Sequence, residues 1–289
     1  MERQKPEYRI KELHVYYLKE INSIRRLNAL LKPSRFSMLL VNSGAVDFQV
    51  KDKIVCVPAD CLYLIHAHAT ATKLTGRISV CLVSCSSTFA LASAISRFGT
   101  GQIDNVLTSR GTMLCLNRAD FNQILVIIAL LKQKISIEKE MIVHSELVVL
   151  CFNLLLYEFG ALQCTYGVGH KAHRSRNEKL VANFIVLVRQ HCRQQHSARF
   201  YADLLYVTTG HLSKAVRVVM GVSAKNFIEI ALLSEAYVLL ANENLTIAEI
   251  SETLNFSNLS NFSSFFKRHS KLSPRQHRLT LGQSEPENQ

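Results

Sequence analysis

Residues 246–269 read TIAEISETLNFSNLSNFSSFFKRH, and this stretch decides the architecture of the C-terminal part of the chain. Thr246 and Glu249 stand three positions apart ahead of an apolar repeat. That is the spacing of a capping box, in which hydroxyl and carboxylate each satisfy a free backbone N–H. The helix so started is predicted to run to about Leu254. Asn255-Phe256-Ser257 then makes a turn, and Asn is one of the few residues that tolerates a left-handed backbone there. A second helix, Asn258 to His269, gathers Phe262, Phe265 and Phe266 on one side. Its outer side shows Ser260, Asn261, Ser263, Ser264, Lys267 and Arg268. Two short helices around a tight turn predict a helix-turn-helix. Beyond it, Ser273-Pro274 predicts one more short helix with Pro at its first position.

The same pattern occurs earlier. Phe200–Tyr206 is followed by a break at Val207-Thr208-Thr209-Gly210 and by His211–Met220, which Gly221 stops. Leu212, Val216 and Val219 point inward, leaving His211, Ser213, Lys214 and Arg217 outward. Ala202 and Leu205 match Ser251 and Leu254; Leu212, Val216 and Arg217 match Phe262, Phe266 and Lys267. Between the units lies a long helix with Ser223 as N-cap. Phe227, Ile230, Ala231, Ser234, Tyr237, Val238 and Ala241 trace its buried face. About 18 residues at ~1.5 Å rise span roughly 27 Å. Successive major grooves lie ~34 Å apart on one face of DNA, so two recognition helices at this separation suit a duplex. An amphipathic helix over Asn177–Gln194, with Leu180, Phe184, Leu187, Val188 and Cys192 on one side, precedes the pair.

The N-terminal half has a different period. Phe36–Val41 and Val46–Val50 flank Asn42-Ser43-Gly44, a hairpin signal. Ile54–Val57, Cys61–His66 and Ile78–Ser84 follow, which suggests a small antiparallel barrel or sandwich. After Asn117 the spacing becomes helical: Phe121, Ile124, Leu125, Ile128 and Leu131, then Ile137, Met141, His144, Val148, Phe152, Leu155 and Phe159. The second stripe packs either inside the chain or on a second subunit, and Met141, Val148, Phe152 and Leu155 are the expected dimerisation residues. Residues 161–176, rich in Gly, His and basic side chains, read as a linker.

The net charge of +12 points to an anionic partner. From Lys171 onward 15 Lys and Arg face 9 Asp and Glu, a net of +6, so charge does not locate the binding surface. The eight cysteines form no CxxC pair, and most sit in apolar runs as reduced thiols do. The polar N-terminus MERQKPEYRIKE has no apolar signal region. The apolar stretches Ile124–Leu131 and Leu147–Leu156 fall short of the ~20 residues that span a bilayer. The expectation is a cytoplasmic protein without a membrane partner. His66-x-His68 could present two imidazoles on one strand face, but no carboxylate stands among Ala69–Lys73, so no metal or other cofactor is expected. No nucleophile–base pair or phosphate loop is present in the sequence, and no catalytic residue is assigned.

Residues 200–278, above all LTIAEISETLNFSNLSNFSSFFKRH and LSPRQHR, resemble the AraC/XylS family of bacterial transcription regulators. The family usually has Gly where Asn255 and Lys271 stand, which bears on local turn geometry. The resemblance implies an α+β fold. An N-terminal cupin-like β-barrel with helices would sense a small molecule and dimerise over residues 1–160. An all-α DNA-binding domain, two helix-turn-helix units joined by a long helix, would occupy 177–281, with a disordered tail at 282–289. It implies base contacts from Gly210, His211, Ser213 and Lys214 in the first unit and from Ser260, Asn261, Ser263 and Ser264 in the second. Arg217, Lys267 and Arg268 would hold phosphates. Promoter DNA, a second copy of the chain, RNA polymerase and an unidentified effector are the implied partners, with activation or repression of transcription as the output. Two alternatives make different demands: a cupin-type enzyme needs a metal carboxylate, and an architectural DNA binder needs affinity governed by salt alone.

Overall fold

We describe a computed structural model of the chain over residues 12–31, 35–65, 69–95, 106, 111–136, 142–166 and 175–282. Among the described residues the N-terminal part forms one antiparallel sheet of six strands: β1 (His14–Ile21), β2 (Arg35–Val50), β3 (Lys53–Pro58), β4 (Cys61–Leu64), β5 (Thr70–Ser86) and β6 (Met113–Cys115). The order is β1-β5-β2-β4-β6, with β3 also on β2. Helix α1 (Ile24–Leu30) follows β1, and α2 (Ser87–Ile95) follows β5.

The expected hairpin at Asn42-Ser43-Gly44 is not a turn. β2 runs straight through it as a 16-residue strand and pairs with β5 on both sides, from Phe36 against Cys85 to Gln49 against Thr70. The three residues make a bulge, with register shifts between Val41 and Ser43 and between Ser43 and Ala45. Gly44 sits at φ +76, where a Cβ would lie 2.5 Å from Ile78 Cδ1 and 2.8 Å from the Thr75 carbonyl. Glycine therefore serves close strand approach here, as it does at bulges. The tight turn falls instead at Lys51-Asp52, between the paired residues Val50 and Lys53, with Lys51 at φ 54.

Both sheet faces are buried. Met38, Leu40, Leu62, Leu64, Cys81 and Val83 pack toward the helices, and the alternating residues Leu39, Val41, Phe48, Tyr63, Val80 and Leu82 form a second core closed by Leu27 of α1. Of the cysteines, Cys56, Cys115 and Cys164 are exposed and the rest buried. His66 and His68 lie outside the described residues, and no cluster of metal-ligating side chains occurs among those described.

Helices α3 (Arg118–Ser136) and α4 (Ile142–Tyr166) pack on each other and cover the sheet. The expected dimerisation stripe turns inward. Val148, Phe152 and Leu155 are all 0% exposed, and the Phe152 ring lies 5.3 Å from Phe89 and 6.3 Å from Phe36. These side chains belong to the core of one chain, because the sheet offers α4 an apolar face to cover. Met141 lies outside the described residues. The large apolar side chains that α4 exposes are Leu147, Leu150 and Leu154; α3 exposes Val126 and Leu130. The linker also starts later than expected: α4 continues past Gly160 to Tyr166. There the Tyr166 hydroxyl donates to the Asp120 carboxylate and accepts the Asn117 N–H at 3.2 Å, tying the helix end to the start of α3. Glu146–Tyr166 is long and apolar enough to cross a bilayer by composition, yet Val148, Phe152 and Leu155 within it sit in the core.

The C-terminal part is helical: α5 (Arg176–His191), α6 (Ala198–Leu204), α7 (Thr209–Met220), α8 (Ala224–Leu240), α9 (Ile247–Thr253), α10 (Leu259–Ser270) and α11 (Pro274–Gly282). α5 begins in a capping box formed by Ser175 and Glu178. α2 rests against α8. One continuous core runs from the sheet through α3, α4 and α5 to α7 and the first half of α8. The second half of α8 shares a separate core with α9 and α10.

Candidate DNA-binding interface

The caps set the two recognition helices. Thr208 Oγ1 accepts the His211 N–H at 3.2 Å and starts α7; Asn258 Oδ1 accepts the Asn261 N–H at 2.8 Å and starts α10. The turns ahead of them match. Tyr206 and Asn255 are both left-handed, at φ 55 and 54. Val207 N–H donates to the Ala202 carbonyl and Phe256 N–H to that of Ser251, each at 3.0 Å. The second turn is one residue longer, since Thr208 follows Tyr206 by two positions and Asn258 follows Asn255 by three. Both helices end left-handed, at Gly221 (φ 78) and Lys271 (φ 69). The predicted capping box of Thr246 and Glu249 is present, with both backbone bonds made.

On α7, Leu212, Ala215, Val216, Val219 and Met220 are buried. Gly210, His211, Lys214 and Arg217 are exposed and Ser213 is half-buried. On α10, Phe262, Phe265 and Phe266 are buried. Ser260, Asn261, Ser264, Lys267 and Arg268 are exposed and Ser263 is half-buried. Each helix thus turns a polar face outward opposite an apolar root. A Cβ built on Gly210 meets nothing within 4 Å, so the protein's own packing does not require glycine there.

The cations differ in their surroundings. Among the described residues Lys214, Arg217 and Lys267 are in no ion pair. Arg268 is held by Glu229 of α8 at 3.5 Å and lies over the Phe265 ring at 5.9 Å. A phosphate would have to compete with that carboxylate. Arg217 also lines a cleft of about 510 Å³ between the two parts of the chain, with Ser86, Ser87 and Thr88 opposite. Asn261 donates from its side-chain amide to Ser257 Oγ at 2.7 Å, which orients it at the start of α10.

Sequence reasoning missed the segment between α5 and α6. Arg193 meets Glu235 of α8 at 2.7 Å. Gln194 accepts from Asn255 at 2.8 Å. The His196 ring lies 5.1 Å from Phe256, and burial lowers its pKa. No local spacing announces these contacts, which join residues far apart in the chain. The capping box of Ser175 and Glu178 was missed as well, although it has the same spacing as Thr246 and Glu249.

Two capped helix pairs, each with an exposed polar second helix, joined by one 17-residue helix, define a double helix-turn-helix DNA-binding module. Residues 201–280 match the family described as a helix-turn-helix domain, and this module is of the AraC type. The chain is accordingly a DNA-binding transcriptional regulator. Solved structures similar to it include unsaturated-fatty-acid-bound ToxT from Vibrio cholerae, at 16% identity over 95% of this chain and 97% of that one, TM-score 0.34. The C-terminal domain of AraT, a response regulator from Geobacillus stearothermophilus, is similar at 25% identity over 39% and 97%, TM-score 0.36. An AraC-type regulator from Chromobacterium violaceum is similar at 23% over 37% and 96%, TM-score 0.33. No curated protein sequence matches the chain.

Proposed function

We propose that the protein reads two adjacent boxes in a promoter, α7 and α10 entering successive major grooves. The observation that carries this is the pairing of two similarly built units whose second helices both present uncovered polar faces. In this reading Gly210, His211, Ser213 and Lys214 contact bases in one box, and Ser260, Asn261, Ser263 and Ser264 contact bases in the other. Lys214 donates to guanine and Asn261 to adenine, following groove chemistry. Arg217 and Lys267 bind phosphates, and Arg268 does so once Glu229 releases it. The protein acts by binding, not catalysis, as a soluble cytoplasmic regulator.

The N-terminal sheet and helices, to Tyr166, form the sensing and dimerisation part; residues 177–281 form the DNA-binding part. A small-molecule effector is supported by the cleft between them, where a ligand would touch α2 and the end of α7 together. Dimerisation is assigned to the exposed leucines Leu147, Leu150 and Leu154, an apolar face of the kind that marks interaction surfaces. RNA polymerase is the partner through which promoter binding would act on transcription.

Binding of Lys214→Ala and Lys267→Ala to a selected operator and to random DNA tests the division of labour. Lys214→Ala is expected to lose about 1–3 kcal/mol on the operator and little on random DNA. Lys267→Ala is expected to weaken both alike and to reduce the salt slope by about one. Equal losses for the two variants on both DNAs would reject it.

A further inference from the structure

Beside the ion pair of Arg268 with Glu229, two connections join the first helix-turn-helix to the second among the described residues. One is α8, whose first half is rooted in the large core and whose second half is rooted in the separate core of α9 and α10. The other is the segment Arg193–Ser197. It is fixed to the first unit: the Tyr201 hydroxyl of α6 donates to the Gln195 carbonyl at 2.7 Å, and Ser197 caps α6 through the Arg199 N–H at 3.2 Å. It is fixed to the second unit as well. The Asn255 side-chain amide donates to the Gln194 carbonyl at 2.8 Å, and the His196 ring packs 5.1 Å from Phe256. Phe256 in turn lies 5.4 Å from Phe262 and 5.3 Å from Phe265, at the root of α10. Arg193 braces the segment against α8 through Glu235 at 2.7 Å.

A single helix between two separate cores leaves the outer unit free to bend and twist about that helix. A second attachment, off the helix axis, removes this freedom. We infer that Arg193–His196 is a strut fixing the distance and angle between α7 and α10, and that Asn255 is the positioning residue that makes the protein select one spacing between its two DNA boxes. This rests on the reading that both helices enter DNA. Asn255 suits the part in two ways. It occupies a left-handed turn position, at φ 54, that glycine would fill without strain. Its amide adds what glycine lacks, a donor reaching 61 positions back along the chain.

Selection from a random DNA pool by the full chain tests the strut without a known operator. The wild type is expected to enrich two boxes at one spacing. Asn255→Gly keeps the turn but loses the bond to Gln194, so its thermal midpoint is expected to fall by no more than one net hydrogen bond accounts for. It is expected to enrich the same boxes at several spacings, and to bind the original spacing about two- to tenfold more weakly, the range one net hydrogen bond supplies. Asn255→Asp, which tolerates the turn but cannot donate, is expected to behave likewise. Unchanged spacing and affinity in both variants would overturn the strut. Enrichment of only one box by the wild type would instead overturn the two-helix reading beneath it.

Discussion

Lys271 holds the left-handed position at the end of α10 that Gly221 holds at the end of α7, with φ 69 against 78, and its N–H donates to the Lys267 carbonyl at 2.9 Å as that of Gly221 does to Arg217 at 3.0 Å. A side chain in this conformation brings Cβ against the backbone, at a cost of roughly 1–2 kcal/mol. Lys271→Gly relieves it, and glycine's greater freedom in the unfolded chain takes part of that back. The substitution is expected to stabilise the protein by about 0.5–1 kcal/mol, seen as a higher urea midpoint with an unchanged slope. A lower midpoint would mean that the Lys271 side chain makes contacts worth more than the strain.

Gly210 is in the first turn of α7 with open space where a Cβ would go. Alanine is the better helix former by about 0.8–1 kcal/mol, so Gly210→Ala is expected to raise stability by up to that amount. DNA affinity is expected to fall, because the added methyl occupies the space through which the groove would approach. A variant that gained stability and kept full affinity would show that Gly210 does not face DNA.

The two faces of α4 make opposite predictions. Phe152→Ala removes a fully buried ring wedged between Phe36 and Phe89. It is expected to cost about 3–5 kcal/mol of stability. Leu150→Glu with Leu154→Glu, on the exposed face, is expected to leave the unfolding midpoint within about 0.5 kcal/mol per site of the wild type, as surface changes do. Sedimentation of that double variant as a monomer under conditions where the wild type is a dimer would support the leucine face. Intact dimers would reject it.

His277 packs between Tyr237 and Phe266, with ring centroids at 4.9 and 5.6 Å. Burial lowers its pKa to about 4. The unfolded chain takes up a proton near pH 6.5, well before the folded one does. Stability from this site is therefore fully present above about pH 6.5 and is lost as pH falls toward 4. Between pH 7 and pH 5 the loss is about 2 kcal/mol. His196 and His269, also held down by burial, add to it in the same direction. Urea midpoints at the two pH values should differ less for His277→Gln than for the wild type; an equal difference would mean that His277 titrates normally.

Much of the DNA-binding module was legible because its signals are local. Thr246 with Glu249, Ser223, Ser273-Pro274 and Asn255 act within one turn of where they stand, through bonds to N–H groups two or three residues on or through their own φ. The repeat that aligns Leu212 with Phe262 is a period of apolar residues, and Leu212, Val216, Phe262 and Phe266 are buried; on α8 the expected buried face fails at Val238 and Ala241, which are exposed. The polar face of Ser260, Asn261 and Ser264 follows from that period, being what remains outside. The N-terminal reading went wrong where the partner decides. Asn42-Ser43-Gly44 has the composition of a turn, and only the 17 residues of β5 pairing along β2 make it a bulge. α4 is apolar nearly all round, so its sequence did not say which side the sheet would cover.

By itself, then, the sequence determined that this chain ends in two capped helix pairs with polar second helices, since caps and periods depend on neighbours within a turn. Tertiary structure alone decided that Val148, Phe152 and Leu155 face inward while Leu147, Leu150 and Leu154 face out. It alone brought Gln194 to Asn255 and His196 to Phe256. Those contacts depend on where two distant segments meet once the cores have formed, and no spacing along one segment encodes the other's position.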